Sequence, residues 1–398
     1  MSLSDIAAGA KASATMALNA RAKNLSLQGK DVVNFTIGEP DFDTPDNVKQ
    51  AAHRAIQAGF TKYQPAAGMS ELREAIARKL QADNGLDYEP GEVLVSNGAK
   101  QALYMIMLCL VQQGDQVLMP APYWVSYVHQ ARFCRAEVVV IDATGTEDLK
   151  PTPDLLADAL TDRARLLVLN SPCNPTGAVL TGEEFAALVE LALERDLWII
   201  SDEIYEKLVY DGAQHVSPAA FSKEARDRII TINGASKTYA MTGWRLGYAA
   251  GPLEVIQAAG RLQSHMTSGP DSVAQRAALE ALTGPQDSVE EMRAAFDRRR
   301  HLLVDGLNAI PGISCLVPQG AFYAFPDCRG LLGRSYAGRK VHNSLELCEA
   351  LLDQAGVAAV PGTAFGAEGF IRLHFAKADE EIEKALERLG AFAESRDG

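Results

Sequence analysis

The chain has no CxxC pair, no HExxH and no short histidine cluster in its 398 residues. Its six cysteines (Cys109, Cys134, Cys173, Cys315, Cys328 and Cys348) are scattered, with no close pair. A structural zinc site and a disulfide framework are therefore not expected, and a reducing, cytoplasmic setting is. No long hydrophobic run is present either. The longest, "ALYMIMLCLV", is far short of the roughly 20 residues that span a bilayer. The start, "MSLSDIAAGAKASATM", has no apolar signal core. Positive charge is in deficit: 38 Lys and Arg face 51 Asp and Glu, a net charge of −13. Nucleic acid is therefore an unsuitable partner, because phosphate backbones select basic surfaces. There is no internal repeat and no low-complexity tract.

What is there is an alternation. Seven short apolar runs lie at 92–96, 116–120, 137–141, 166–170, 197–201, 229–233 and 245–250. They are rich in Val, Ile and Leu and show no clean polar alternation, as in parallel strands covered on both faces. The stretches between them, such as "EEFAALVELALERD", carry apolar residues at helical spacing. This predicts an α/β domain with a large, mostly parallel seven-stranded sheet. From about residue 287 the texture changes to a long amphipathic helix, short strands and a last helix, which predicts a smaller α+β domain. The expected division is 1–43 as an arm and part of the small domain, 44–290 as the large domain, and 291–398 as the small one.

Ligands of open α/β sheets bind beyond the carboxyl ends of the strands. Four of the runs are followed there by polar groups: Asn97-Gly98-Ala99-Lys100, "NSPCNPTG" from Asn170, "DEIY" from Asp202, and "NGASK" ending in Lys237. Each alone has an ordinary explanation as a turn, a cap or a surface lysine. Together on one edge they ask for a ligand with a phosphate, a ring nitrogen and a carbonyl. Gly98 and Ala99 open a helix whose free N–H groups attract an anion. Ser236 and Arg245 can hold the same phosphate. Lys237 becomes a nucleophile once its amine is desolvated or set among cations. Asp202 can keep a proton on a pyridine nitrogen; at about 3–4 Å that pairing is worth roughly 4 kcal/mol at an effective dielectric near 20. Pyridoxal 5′-phosphate meets all these requirements.

The blocks "NGASKTYAMTGWRLGY", "NSPCNPTGAV", "SDEIYEKLVY", "GEPDFDTP", "KYQPAAGMSELREA" and "FIRLHFA" occur in the order expected of one family. Over essentially its whole length the sequence resembles the fold-type I, class I/II aminotransferases. It most resembles their Ib subgroup of bacterial aspartate aminotransferases, some of which also use prephenate. The resemblance implies pyridoxal 5′-phosphate bound covalently at Lys237, with Asp202 at the ring nitrogen and Asn174 and Tyr205 at the ring oxygen. It implies Trp124 stacked on the ring, and Gly98, Ala99, Lys100, Ser236 and Arg245 around the phosphate. Tyr63 would reach the cofactor of a neighbouring subunit, making the protein a homodimer. Arg372 would clamp the substrate α-carboxylate, Lys100 would meet the distal one, and Gly38, Trp124 and Asn174 would border the substrate. Lys237, Asp202 and Tyr205 would be the catalytic set. Thr15, with Lys100, matches positions associated with prephenate use. The implied reaction is ping-pong exchange of an amino group between L-aspartate and 2-oxoglutarate. Alternatives are prephenate, aromatic or alanine aminotransferase activity and, less well supported, a lyase on the same fold. A ligand-sensing transcription regulator of this fold is disfavoured by the acidic charge.

Overall fold

The computed structural model describes residues 3–9 and 14–395, without the side chains of residues 14 and 15. All seven apolar runs become strands of one sheet. They are β1 (Val93–Ser96), β2 (Gln116–Ala121), β3 (Glu137–Asp142), β4 (Ala164–Asn170), β5 (Trp198–Asp202), β6 (Ile229–Gly234) and β7 (Gly247–Ala250). Their spatial order is β1-β7-β6-β5-β4-β2-β3. Six strands share one direction, and only β7 runs against its neighbours β6 and β1. The expected mostly parallel sheet is present, with one reversed strand inserted.

Successive residues of each strand enter opposite cores. Val93, Val95, Leu167, Leu169, Ile199 and Ile229 face one core, with helices Ser70–Asn84, Gly182–Glu194 and Ser272–Thr283. Leu94, Leu166, Val168, Ile200, Ile230 and Ile232 face the other, with helices Ala99–Leu110, Val125–Phe133 and Leu253–Met266. Both faces of the inner strands are dry, so those strands have no solvent side on which to place polar residues, whereas the edge strand β3 is partly exposed. The helix Gly182–Glu194 starts at a reciprocal cap: Thr181 accepts from the Glu184 N–H, and Glu184 accepts from the Thr181 N–H.

A third core gathers the carboxyl-terminal part. The helix Asp287–Asn308 contributes Phe296, Leu303 and Leu307, and the helix Asp379–Glu394 contributes Leu389 and Phe392. They cover an antiparallel sheet in which Ile371–His374 lies between Val360–Pro361 and Tyr323–Ala324. The amino-terminal segment joins this core. Leu18, Ala22 and Phe35 are buried in it, and Val33 pairs with Val357.

Register decides where the polar groups end up. Asn170 pairs with Asp202 across β4 and β5. Gly247 pairs with Gly234 on one side and Ser96 on the other. The ends of β1, β4, β5 and β6 and the start of β7 therefore form one row. Gly247 must be small: a Cβ there would lie 2.6 Å from the Gly98 carbonyl carbon and still nearer the Ala99 nitrogen. Gly247→Ala should push the Gly98–Ala99 turn off the sheet, cost about 1–3 kcal/mol, and lower the melting temperature by a few degrees in calorimetry. An unchanged melting temperature would show that the turn is not held there.

Candidate active site

The row of strand ends floors an open cavity of about 490 Å³. Its far wall comes from the carboxyl-terminal part, through Tyr323, Phe365 and Arg372, and its rim includes Gly38 and Met16. Ala99, Lys100, Trp124, Asn174, Asp202, Tyr205, Ser236, Lys237 and Arg245 line the same cavity. In a chain of net charge −13, four basic side chains meet here around one carboxylate, Asp202. The local field therefore favours an anion.

Lys237 sits in the short helix Ala235–Thr238 that follows β6. Its Nζ donates to the Gly38 carbonyl at 2.6 Å. Burial, followed by the charge of Arg372, lowers its pKa to about 8; Arg245 and Lys100 push the same way and Glu39 opposes them. Gly38 is confined by the Tyr323 ring, whose Cε1 would lie 2.8 Å from a Cβ.

Asp202 ends β5 and is 3% exposed. Its Oδ2 accepts from the Tyr127 hydroxyl at 2.6 Å, and its Oδ1 accepts from the Ile204 N–H at 3.3 Å. Burial raises its pKa to about 6, while the Tyr127 and Ile204 hydrogen bonds hold it down. Among the described residues no ion pair reaches this carboxylate. The neighbouring Glu203 turns away, accepting from Ser201 at 2.8 Å and pairing with His215 at 2.9 Å. On β4, Asn170 donates to the Asp202 carbonyl at 2.9 Å and accepts from the Asn174 N–H at 2.8 Å, which fixes the loop carrying Asn174.

Arg372 is buried on the central strand Ile371–His374. It donates to Asn174 Oδ1 at 3.1 Å and to the Thr36 carbonyl at 3.0 Å, and it lies over the Tyr323 ring at 4.6 Å. Its Nε has no partner, and no carboxylate pairs with it among the described residues. Burial holds its pKa below the ordinary guanidinium value. Tyr205 is buried, with its hydroxyl 2.8 Å from that of Tyr323.

The remaining candidates surround a helix start. Gly98, at φ 83°, precedes the helix Ala99–Leu110, whose first residues Ala99 and Lys100 line the cavity. Arg245 donates to the Thr242 carbonyl at 2.9 Å, and its Nη2 would be 2.5 Å from a Cβ on Gly98. Glycine thus lets the guanidinium close over the turn. Ser236 is buried beside them. Lys100 reaches over the Trp124 ring at 4.8 Å and is held below its ordinary pKa, by burial and then by Arg245. Tyr63 stands apart: it is 94% exposed and outside this chain's cavity. The Thr15 side chain lies outside the described residues.

Two site residues escaped the sequence reading. Tyr127 lies three positions after Trp124 in "PYWVSY", one helical turn on, and that spacing was the available signal. Tyr323 lies in "GAFYAF", where nothing separates it from its apolar neighbours.

The Lys237 environment has a measurable consequence. A base with a depressed pKa leaves the folded chain holding the ammonium at a cost, which is relieved as pH rises from about 8 to 10.5. Reductive labelling of the cofactor-free chain with a small aldehyde should modify Lys237 first, with a midpoint near pH 8. Arg372→Ala should move that midpoint upward. A midpoint that ignores Arg372, or labelling spread evenly over the lysines, would contradict this.

Comparison with known proteins shows the family. The sequence pattern of the family described as aminotransferase class I and II matches residues 30–389. The aspartate aminotransferase of Geobacillus stearothermophilus is 46% identical over 396 residues, covering 100% of both chains. The aspartate/prephenate aminotransferase of Cereibacter sphaeroides is 46% identical over 392 residues, covering 98% of each. The crystal structure of the Rhizobium meliloti aspartate aminotransferase superposes with a TM-score of 0.96 at 42% identity, over 100% of both chains. That of the Thermus thermophilus enzyme with maleate gives 0.93 at 45% identity, over 98% of this chain and 100% of that one. The chain belongs to the class I and II aminotransferases.

Proposed function

We propose that this aminotransferase uses pyridoxal 5′-phosphate to move an amino group between L-aspartate and 2-oxoglutarate, giving oxaloacetate and L-glutamate. One observation carries the reading. A lysine of lowered pKa, a buried carboxylate without a cation and an arginine with an unfilled Nε share one cavity. A ligand with an aldehyde, a basic ring nitrogen and a phosphate suits this set. The unpaired Asp202 suits a protonated ring nitrogen, and the Gly98 turn under Arg245 suits a phosphate.

When bound, the cofactor would supply an aldehyde carbon and a ring able to take up electron pairs. Lys237 would bind that carbon and, once displaced by the substrate amine, would move the proton at the substrate α-carbon. Asp202 would hold the proton on the ring nitrogen. Asn174 and Tyr205 would hydrogen-bond the ring oxygen, and Trp124 would lie against the ring. Gly98, Ala99, Lys100, Ser236 and Arg245 would hold the phosphate. Arg372 would take the α-carboxylate through its free Nε edge, with Gly38 and Asn174 bordering the substrate. Lys100 is the remaining cation for a distal carboxylate.

Aspartate as donor is supported by the names of the relatives. The Thermus structure was solved with maleate, a four-carbon dicarboxylate. Prephenate is the second reading, favoured by a relative so named at the same 46% identity. The exposed Tyr63 supports a homodimer in which it completes the neighbour's site. A cytoplasmic location suits six unpaired cysteines. No helix among the described residues is long and apolar enough to cross a membrane.

Mixing the protein and cofactor with single amino acids, and following the cofactor's visible band, tests the reading. Aspartate and glutamate should convert the band quickly, and 2-oxoglutarate should restore it. Conversion by alanine alone would overturn the substrate assignment. Asp202→Ala should retain cofactor but lose about 10³-fold in turnover. Lys100→Ala should raise the KM for aspartate about tenfold and that for alanine, which has no distal carboxylate, much less.

A further inference from the structure

We propose that Tyr127 is a positioning residue for the amino transfer: its hydroxyl orients the Asp202 carboxylate and keeps it ionised, while its ring sets the plane of Trp124. The inference rests on the cofactor reading above. Tyr127 lies in the first turn of the helix Val125–Phe133 and is 2% exposed. Its hydroxyl is 2.6 Å from Asp202 Oδ2, and its ring meets the Trp124 ring edge-on at 5.3 Å and 85°. One side chain thus touches both the carboxylate assigned to the ring nitrogen and the indole assigned to the ring face.

Tyr127 is also a partition. It lines the main cavity and a second, smaller one of about 40 Å³ behind it, walled by Met119, Pro122, Leu149, Val168 and Leu180. Among the described residues, the phenol is the one hydrogen-bond donor to Asp202 Oδ2.

The choice of donor follows from charge. An arginine or lysine at Oδ2 would neutralise the carboxylate and weaken its hold on a protonated ring. A phenol orients the oxygen without cancelling its charge. Burial and the Asp202 charge drive the Tyr127 phenol pKa well above 10, so it remains a neutral donor. Of the other charged or titratable groups near Asp202, Glu203 opposes its ionisation and Lys237 favours it, and Cys173 and Tyr205 also feel its charge. Cys173 and Tyr205 face Tyr127 itself.

The test reads Asp202 directly. The full chain, free of cofactor, is labelled with carboxyl-¹³C aspartate, and the Asp202 signal is assigned with Asp202→Asn. Tyr127→Phe should raise its titration midpoint by about one pH unit, the size of one lost charge-assisted hydrogen bond. Replacing Tyr127 with 3,5-difluorotyrosine, a stronger donor of nearly the same size, should lower it. Tyr123→Phe, in the wall of the small cavity, should leave it unchanged. In the cofactor-loaded protein, Tyr127→Phe should lower kcat about tenfold, with KM for aspartate within about twofold. Midpoints that stay put in both Tyr127 variants, or that move while kcat does not, overturn the proposal. Failure of borohydride to fix pyridoxal phosphate on Lys237 would instead overturn the cofactor reading, and is seen separately from the carboxyl titration.

Discussion

The structure depends on holding one ionisable carboxyl group, Asp202, out of water with, among the described residues, no cation in ion-pair contact with it. Raising its pKa from 3.8 to about 6 corresponds to roughly 3 kcal/mol. In the folded chain the protonated form is favoured, so that stability is present below pH 3.8 and lost as pH rises through about 6. At neutral pH the fold carries this cost, and apolar packing on both sheet faces offsets it. Partial relief comes from two neutral donors, the Tyr127 hydroxyl and the Ile204 N–H. A group kept under such strain is a common mark of a binding site.

Around it the charges are arranged by sign. Lys237, Arg372, Lys100 and Arg245 reach the cavity from three separate segments, yet among the described residues none has a carboxylate within ion-pair distance. Beyond burial, Arg372, Arg245 and Lys100 lower the proton affinity of Lys237, and Glu39 opposes them. The outer surface is acidic, so an anion gains most by entering this cavity. Burial first, and then the repulsion from these cations, favours the neutral amine of Lys237, which is the form that bonds to carbonyl carbon.

The strands were legible because both their faces are buried, which leaves unbroken apolar runs such as "LLVLN" and "IITIN". Asp202 and Lys237 were legible because four polar groups, each ordinary alone, follow four strands that end on one sheet edge. The reversal of β7 was not. Its run, "RLGYAA", reads like the others, and strand direction depends on how the preceding segment turns back after Lys237. Tyr127 and Tyr323 were missed for a related reason. A tyrosine inside a helix or strand reads as core, and only the fold shows the Tyr127 hydroxyl meeting Asp202 and that of Tyr323 meeting Tyr205.

The reversed strand has a mechanical consequence. Because β7 leaves the same edge at which β6 arrives, Lys237 and Arg245 are mounted on the two arms of one hairpin, clamped by the Gly234–Gly247 pair. Two anchors on one stiff fork act as a gauge. A guest gripped at both prongs can tilt only about the line joining them, and a guest too short or too long for the span cannot be gripped twice.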